Sequence, residues 1–129
     1  MRIIPTSFSL PTEKPHFLSR PPLETLGEFG QPLTLACAVD GSPAPDVTWY
    51  RDGVPLSETP NLRFSVLKNN DSLHISFMRQ EDSGMFQCLA SNEAGDVTAY
   101  TWLRVKSKFS VGGEKFRLFY SRECRLLKF

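Results

Sequence analysis

Thiol and imidazole groups are the side chains in this sequence best suited to carry chemistry, and they are few. The 129 residues include three cysteines, Cys37, Cys88 and Cys124, and two histidines, His16 and His74. Such residues can form a disulfide, a redox site or a metal site, but no second cysteine or histidine lies at the short spacing that zinc sites use. We therefore predict no metal, which leaves a disulfide or separate thiols as the chemistry of the cysteines.

Catalytic motifs are absent from the sequence. Neither HExxH, GxSxG, a Walker-type phosphate loop nor a dinucleotide-binding fingerprint occurs. A Ser-His-Asp arrangement would need His16 or His74, and nothing around either histidine supports that role. The adjacent acids Glu81 and Asp82 are better explained as part of a chain corner and its surface. We predict that the protein is not an enzyme, has no catalytic residues or cofactor and takes no small-molecule substrate.

The composition indicates one globular domain with an uneven charge distribution. Apolar residues make up 40% and charged residues 22%, as in ordinary folded proteins. Residues 1–105 contain 8 Lys and Arg against 12 Asp and Glu, whereas residues 106–129 contain 7 against 2. The sequence therefore combines a mildly acidic body with a basic tail. The acidic body argues against electrostatic binding of nucleic acid or actin, unless the tail supplies it.

Short β-rich runs separated by turn residues predict an all-β fold from Leu33 onward. No apolar stripe of helical period is long enough for a helix. Alternation in the run 72–77 directs Leu73, Ile75 and Phe77 inward, and the run 33–39 is expected to be one continuous strand. The predicted strands cover residues 16–20, 23–26, 33–39, 47–51, 63–66, 72–77, 85–91 and 96–105. About eight strands at this spacing are typical of a β-sandwich.

Three stretches carry a resemblance to a known family: GSPAPDVTWYRDG, DSGMFQC and ASNEAG. They accompany a Cys…Trp…Cys spacing in which Trp49 follows Cys37 by twelve residues. On these residues, the stretch 15–106 resembles the intermediate set, or I-set, of the immunoglobulin superfamily. The resemblance implies an immunoglobulin-like β-sandwich of two antiparallel sheets with Greek-key connections.

The resemblance also implies how the cysteines and the core are arranged. A disulfide would join Cys37 to Cys88 between the sheets, with Trp49 packed beside it. Closing that loop would remove about 4 kcal/mol of conformational entropy from the unfolded chain. The alternative is two buried free thiols, as in a cytosolic domain of this family. The other core residues predicted here are Leu35, Leu73 and Phe86.

The stretch DSGMFQC resembles the family's corner before the second cysteine. By this resemblance Asp82 pairs with Arg63, and a hydrogen-bonded pair makes such buried charges tolerable. Gly84 permits the tight corner. The family usually has tyrosine at the position of Phe86, and its hydroxyl caps a backbone group. Phenylalanine fills the same space without that bond, so the corner is weaker by about 0.5–1.5 kcal/mol or has a substitute partner.

Strand alternation predicts an apolar face that folding does not use. With Trp49, Phe86 and Cys88 inward, their neighbours in the same strands point to solvent, and many are types enriched at protein interfaces. We predict that this face binds a protein partner. The alternatives are that the termini or the basic tail cover it, or that its residues are scattered, ordinary exposed side chains. Thr48 is also predicted to point outward, and the predicted contact residues are Tyr50, Met85, Gln87, Leu89, Tyr100 and Trp102.

A possible glycosylation site lies on a predicted turn. Asn70-Asp71-Ser72 matches the acceptor motif, with a polar hairpin turn as the alternative explanation. Residues 1–17 lack the apolar run of a secretory signal, and no stretch reaches the length of a membrane span. We expect an extracellular domain of a longer receptor, attached to a membrane only through that parent, with a cytoplasmic location as the alternative.

The resemblance extends to function. MFQCLASNEAG and the aromatic last strand resemble tandem-immunoglobulin neural adhesion receptors, in particular the sidekick type. This implies a non-enzymatic recognition module that binds homophilically or to another ectodomain. The sequence also resembles I-set domains of sarcomeric or actin-associated scaffolds of the titin or palladin kind, which act as spacers or filament attachments with reduced cysteines.

The chain is predicted to consist of three parts. Residues 1–14 form a disordered or linker segment, residues 15–106 the I-set domain and residues 107–129 a basic tail with little order. Because the tail does not continue the family pattern after the last strand, Cys124 is expected to be a free thiol or an intermolecular bridge.

Overall fold

The structure, a computed structural model, describes residues 11–107. Predictions for residues 1–10, for the tail beyond Ser107 and for Cys124 therefore lie outside the described residues. The described chain forms ten β-strands and two 3₁₀ turns, Leu56–Glu58 and Gln80–Asp82. The strands are β1 (Glu13–Ser19), β2 (Glu24–Glu28), β3 (Leu33–Leu35), β4 (Ala38–Ser42), β5 (Asp46–Arg51), β6 (Val54–Pro55), β7 (Phe64–Val66), β8 (Leu73–Ile75), β9 (Gly84–Asn92) and β10 (Gly95–Lys106).

The strands form two layers around one core. One layer is a five-stranded sheet in the order β2-β10-β9-β5-β6, and the other consists of the pair β1-β4 and the sheet β3-β8-β7. Buried side chains from both layers pack into a single cluster that includes Leu35, Trp49, Leu73 and Phe86. The predicted all-β immunoglobulin-like sandwich is confirmed. Its pairings are antiparallel with one exception, since β2 runs parallel to β10.

The run 33–39 is divided, contrary to the prediction of one continuous strand. Leu33–Leu35 pairs with β8, whereas Ala38–Ser42 pairs with β1. The ladder changes partner between these two segments, where Cys37 is fully buried. Alternation along the run predicted which side chains face inward, but it carries no information about which neighbouring strand each half will pair with.

The prediction that Phe77 points inward is wrong. Phe77 is 41% exposed, whereas the next residue, Met78, is 3% exposed. Strand β8 ends at Ile75, so the period of two does not continue beyond it. The backbone N–H of Met78 instead donates to the carbonyl oxygen of Gln31 at 2.8 Å. Its side chain packs directly on Gly27 and leaves no room for a Cβ at that position.

A buried ion pair holds the corner before β9. Both guanidinium nitrogens of Arg63 donate to the Asp82 carboxylate, at 2.6 and 2.8 Å, and the backbone N–H of Arg79 donates to it at 2.7 Å. The Asp82 side chain is completely buried. Burial alone would raise the pKa of Asp82, but the hydrogen bonds from Arg63 and Arg79 outweigh it and hold that pKa below its ordinary value. The same pair raises the pKa of Arg63.

Phe86 fills the base of the core without the hydroxyl group of a tyrosine. It is fully buried, its ring centroid lies 6.0 Å from that of Phe64, and the guanidinium of Arg51 lies 5.8 Å from its centroid. A different hydrogen bond joins this corner to the last strand. The backbone N–H of Val105 donates to the hydroxyl oxygen of Ser83 at 3.0 Å.

Asn92, which the sequence analysis did not single out, joins three parts of the chain. Its amide nitrogen donates to the carbonyl oxygens of Glu13 at 2.8 Å and of Pro43 at 3.0 Å. Its amide oxygen accepts from the backbone N–H groups of Ala94 at 2.8 Å and of Gly95 at 3.2 Å. The side chain therefore fixes the β9–β10 turn while attaching β1 and the loop before β5 to it.

Candidate protein-interaction face

The last strand, β10, separates core from surface with strict alternation. Its inward residues Ala99, Thr101, Leu103 and Val105 are buried. Because successive side chains in a strand point to opposite faces, the residues between them are turned to solvent. The outward residues of β10, all exposed, are Asp96, Thr98, Tyr100, Trp102, Arg104 and Lys106.

The register of the five-stranded sheet brings the predicted contact residues together on one face. Trp102 lies opposite Met85, and Gln87 lies between Tyr50 and Tyr100. Leu89 similarly lies between Thr48 and Thr98, and the Gln87 amide nitrogen donates to the Thr98 hydroxyl at 3.0 Å. We call this surface the outer face; it consists of Thr48, Tyr50, Met85, Gln87, Leu89 and the outward residues of β10.

Exposure within the outer face is greatest along β10. Trp102 is 53% and Tyr100 42% exposed, whereas Tyr50, Met85 and Leu89 are half-buried. The two aromatic side chains of β10 are therefore more exposed than their apolar neighbours on β5 and β9. The role of these residues in binding stays a prediction.

Strand β2 extends the outer face by residues that the sequence analysis missed. In the parallel pairing, Glu24 lies opposite Trp102 and Leu26 lies opposite Arg104. Leu26 is 67% exposed, whereas Gly27 is buried. Alternation within ETLGE was a usable signal for Leu26. Nothing in the sequence indicated that β2 would lie beside β10, because their paired residues are 78 positions apart in sequence.

An open depression lies where β2 meets β10. Its volume is about 430 Å³, and Trp102 lines it together with the charged residues Glu24 and Arg104. The remaining lining residues are Thr25, Leu26, Ser83 and Leu103. A depression lined by an aromatic residue and by charges of both signs can receive a protruding side chain from a partner.

The two cysteines of the core form a disulfide, as the resemblance implied. Cys37 and Cys88 are both fully buried, and their Cα atoms lie 6.6 Å apart, within the range that a disulfide spans. Trp49 is 3% exposed, and its indole N–H donates to the carbonyl oxygen of Asp71 at 2.7 Å. The bridge joins β9 to the segment between β3 and β4 and is remote from the solvent side of the outer face.

The predicted glycosylation residue lies on the turn between β7 and β8. Asn70 is exposed, and its side-chain oxygen accepts from the backbone N–H of Ser72 at 3.2 Å. Asp71 between them has a φ of 59°, in the left-handed region. Ser72 itself is 4% exposed. Burial, followed by the nearby charge of Asp46, raises the pKa of Asp71.

The imidazoles are separate from each other and from the outer face. His16 lies on β1, and His74 lies on β8, where its Nδ1 is 3.0 Å from the Thr34 hydroxyl. Among residues 11–107, no group of three His, Cys, Asp or Glu side chains could hold a metal ion. The same part of the chain contains no helix long and apolar enough to cross a membrane.

Comparison with known proteins agrees with this geometry. The family model of the immunoglobulin I-set domain matches residues 15–105. The chain belongs to the immunoglobulin I-set family. It is 44% identical over 93 residues to protein sidekick-1 of Mus musculus, covering 72% of this I-set chain but 4% of that relative.

Two solved structures illustrate the range of similar I-set domains. Sidekick-1 immunoglobulin domains 1–4 superpose with a TM-score of 0.72 and 43% identity, covering 74% of this chain and 25% of that one. The titin domains Z1Z2 in complex with telethonin superpose with a TM-score of 0.69 and 31% identity, covering 76% of this chain and 49% of that one. The similarity to sidekick-1 is thus the higher in both sequence and structure.

Proposed function

We propose that this I-set domain is a non-enzymatic recognition module of a cell-adhesion receptor, binding another ectodomain or a second copy of its own receptor through the outer face. The observation that carries the proposal is the exposure of Tyr100 and Trp102 side by side on a sheet whose opposite side is a packed core. Leu26, 67% exposed, extends the same apolar surface. Contiguous surfaces of this composition are typical of protein contacts.

The size of the available burial supports a contact at these aromatics. A tryptophan side chain buries roughly 150–250 Å² when fully enclosed. Since Trp102 is 53% exposed, a partner could cover about 100 Å² of it, which is worth about 2–3 kcal/mol. Tyr100, at 42%, adds a slightly smaller amount. Tryptophan and tyrosine residues that contribute this much are typical of the centre of a protein interface.

A loss-of-binding experiment tests the outer face. The secreted protein is immobilised, and binding is measured to cells or beads that display sidekick-type ectodomains and the chain itself. Tyr100→Ser with Trp102→Ser should abolish binding while the melting temperature stays within a few degrees, because both side chains face solvent. Leu62→Ser is the matched control, since Leu62 is 104% exposed but lies outside the outer face. Unchanged binding by a folded double variant would overturn the proposal.

The oxidation state of the cysteines separates the adhesion module from the scaffold alternative. The disulfide between Cys37 and Cys88, and the closer similarity to sidekick-1 than to titin, favour an extracellular location. Intact mass of protein from its native source is compared with and without reductant. A mass lower by two hydrogen atoms before reduction is expected, and fully reduced cysteines in the native protein would favour the spacer or filament role instead.

We further propose that Asn70 carries an N-linked glycan when the chain passes through the secretory pathway. Asn70 is exposed on a turn of the layer opposite the outer face, so a glycan there leaves that face free. Mass spectrometry of secreted protein before and after N-glycosidase treatment is the test. Added hexose mass that disappears with the glycosidase and in Asn70→Gln is expected, and an unmodified Asn70 peptide in secreted protein would refute it.

A further inference from the structure

The charges on the outer face are distributed by sign along the strands. In β10, Asp96 lies at one end of the outward row, and Arg104 and Lys106 lie at the other, with the aromatics between them. Asp46 joins the acidic end, because Ser91 is paired with both Asp46 and Asp96. Asp96 accepts a hydrogen bond from the Ser91 hydroxyl at 2.7 Å. Within residues 11–107, neither Arg104 nor Lys106 has an ion-pair partner.

This row is arranged symmetrically about Thr101. Asp96 and Lys106 are each five residues from it, and Tyr100 and Trp102 are each one residue from it. Consider two copies packed face to face, with a two-fold axis between them that runs perpendicular to the strands and passes over Thr101. This axis would place Asp96 of one copy over Lys106 of the second copy. The same axis would place Tyr100 over Trp102. Interfaces with two-fold symmetry need such a self-complementary patch.

We propose that the occupant of the outer face is a second copy of this chain, packed face to face with its strands antiparallel. This deepens the proposed function and rests on it, since it takes the outer face to be the contact surface. The charges choose the orientation. A two-fold axis along β10 would instead set Asp96 against Asp96 and Arg104 against Arg104, which like-charge repulsion opposes.

Two acids of β2 lie near the basic end and have to be weighed against this pairing. Glu28 is opposite Lys106 in the parallel register, and Glu24 is opposite Trp102. Neither forms an ion pair with a basic residue within the described part of the chain. Because β2 is the last strand of its sheet, these acids lie at the margin of the face, one strand away from the β10 row that the two-fold axis superposes.

The dimensions predict a weak dimer. The outward row spans about 33 Å at 3.3 Å per residue, and four strands at 4.8 Å spacing give a face of roughly 600 Å² per copy. A total near 1,200 Å² is at the lower limit for specific interfaces. Facing sheets also cross at about 30°, which offsets the row ends by about 8 Å, and the long side chains of Arg104 and Lys106 can bridge that offset. Repeated domains would strengthen such a contact by avidity.

Charge exchange tests the orientation. The full chain is prepared with Cys124→Ser in every sample, so that no intermolecular bridge contributes, and self-association is measured by sedimentation velocity over rising concentration. Asp96→Lys or Lys106→Asp alone should weaken the dimer about tenfold, because each turns two attractive contacts into repulsive ones. The two together should restore it to within about twofold of the starting protein. Glu58→Lys is the control for net charge, since Glu58 is exposed outside the outer face.

The outcomes separate this inference from the proposed function. If Tyr100→Ser with Trp102→Ser abolishes self-association but the charge exchange does not restore it, the antiparallel orientation is wrong and the contact surface stands. If the chain stays monomeric while it binds a different ectodomain through the same residues, the second copy is wrong and the recognition function stands. Self-association that ignores both sets of substitutions overturns both.

Discussion

Removing the carboxylate of Asp82 should be among the most damaging single changes to this domain. In Asp82→Ala, the Arg63 guanidinium loses both of its carboxylate hydrogen bonds, and the backbone N–H of Arg79 loses its acceptor. The Arg63 side chain is 14% exposed and would remain charged in that setting. Breaking a buried pair by removing one partner costs about 3–5 kcal/mol, because the other charge is left uncompensated.

That loss is large compared with the stability of a domain of this size. If the free energy of unfolding lies between about 5 and 15 kcal/mol, a loss of about 4 kcal/mol lowers the urea midpoint by about 2 M for a slope near 2 kcal/mol/M. The melting temperature should fall by about 15–30 °C. Urea titration followed by far-ultraviolet circular dichroism and by tryptophan fluorescence measures both the midpoint and the slope.

Two further variants make the measurement decisive. Glu81→Ala removes a neighbouring acid whose contact with Arg79 is exposed, so it should cost less than about 1 kcal/mol. Arg63→Leu combined with Asp82→Leu removes both charges together and should recover most of the stability that Asp82→Ala loses. The reasoning is refuted if Asp82→Ala costs no more than Glu81→Ala, or if the double variant is less stable than Asp82→Ala.

Three other predictions follow from the same structure. Because the folded-state pKa of Asp82 is lowered, the stabilisation by its carboxylate is present above the unfolded pKa of about 3.9 and is lost as pH falls through the folded value. Urea midpoints measured from pH 7 to 2 should show this loss, and the dependence of the midpoint on pH should be weaker in Asp82→Asn. Gly84→Ala should cost more than about 1 kcal/mol, since φ is 153° and a Cβ would lie 2.9 Å from the Asp52 carboxylate. Gly53→Ala also has a positive φ, 85°, but meets open space, so it should cost less in the same urea assay. Asn92→Ala should lower the free energy of unfolding by about 1–3 kcal/mol, as measured by thermal melting. A change below about 0.5 kcal/mol would contradict the stabilising role of its hydrogen bonds to Glu13 and Pro43.

Local alternation was the part of the fold that the sequence could predict well. It located β9 and β10 to within one residue of each end and assigned the buried positions of both strands, since a period of two is written directly in the residues. It failed at Phe77, where the strand had already ended at Ile75 and hydrogen bonds to a distant turn determined which side chain is buried.

Pairing between distant segments was the part that could not be predicted. The division of the run 33–39 and the parallel neighbourhood of β2 and β10 depend on which strands meet in space. Alternation did identify the residues on β5, β9 and β10 that line the outer face, but Leu26 and Glu24 join that face only through β2. Asn92 was missed for the same reason, because its partners come from three parts of the chain.

The parallel pairing of β2 with β10 also has a mechanical consequence. When the ends of the domain are pulled apart, β2 and β10 are drawn past each other in shear, and their five paired positions share the load. Antiparallel β9 and β10 pulled from Met85 and Lys106 would instead open one pair after another, like a zipper. Single-molecule extension should therefore give a higher rupture force from Glu24 and Lys106 than from Met85 and Lys106, and equal forces would contradict this. In a receptor that holds two cells together under tension, this domain would thus resist unfolding most strongly along the direction in which it is pulled.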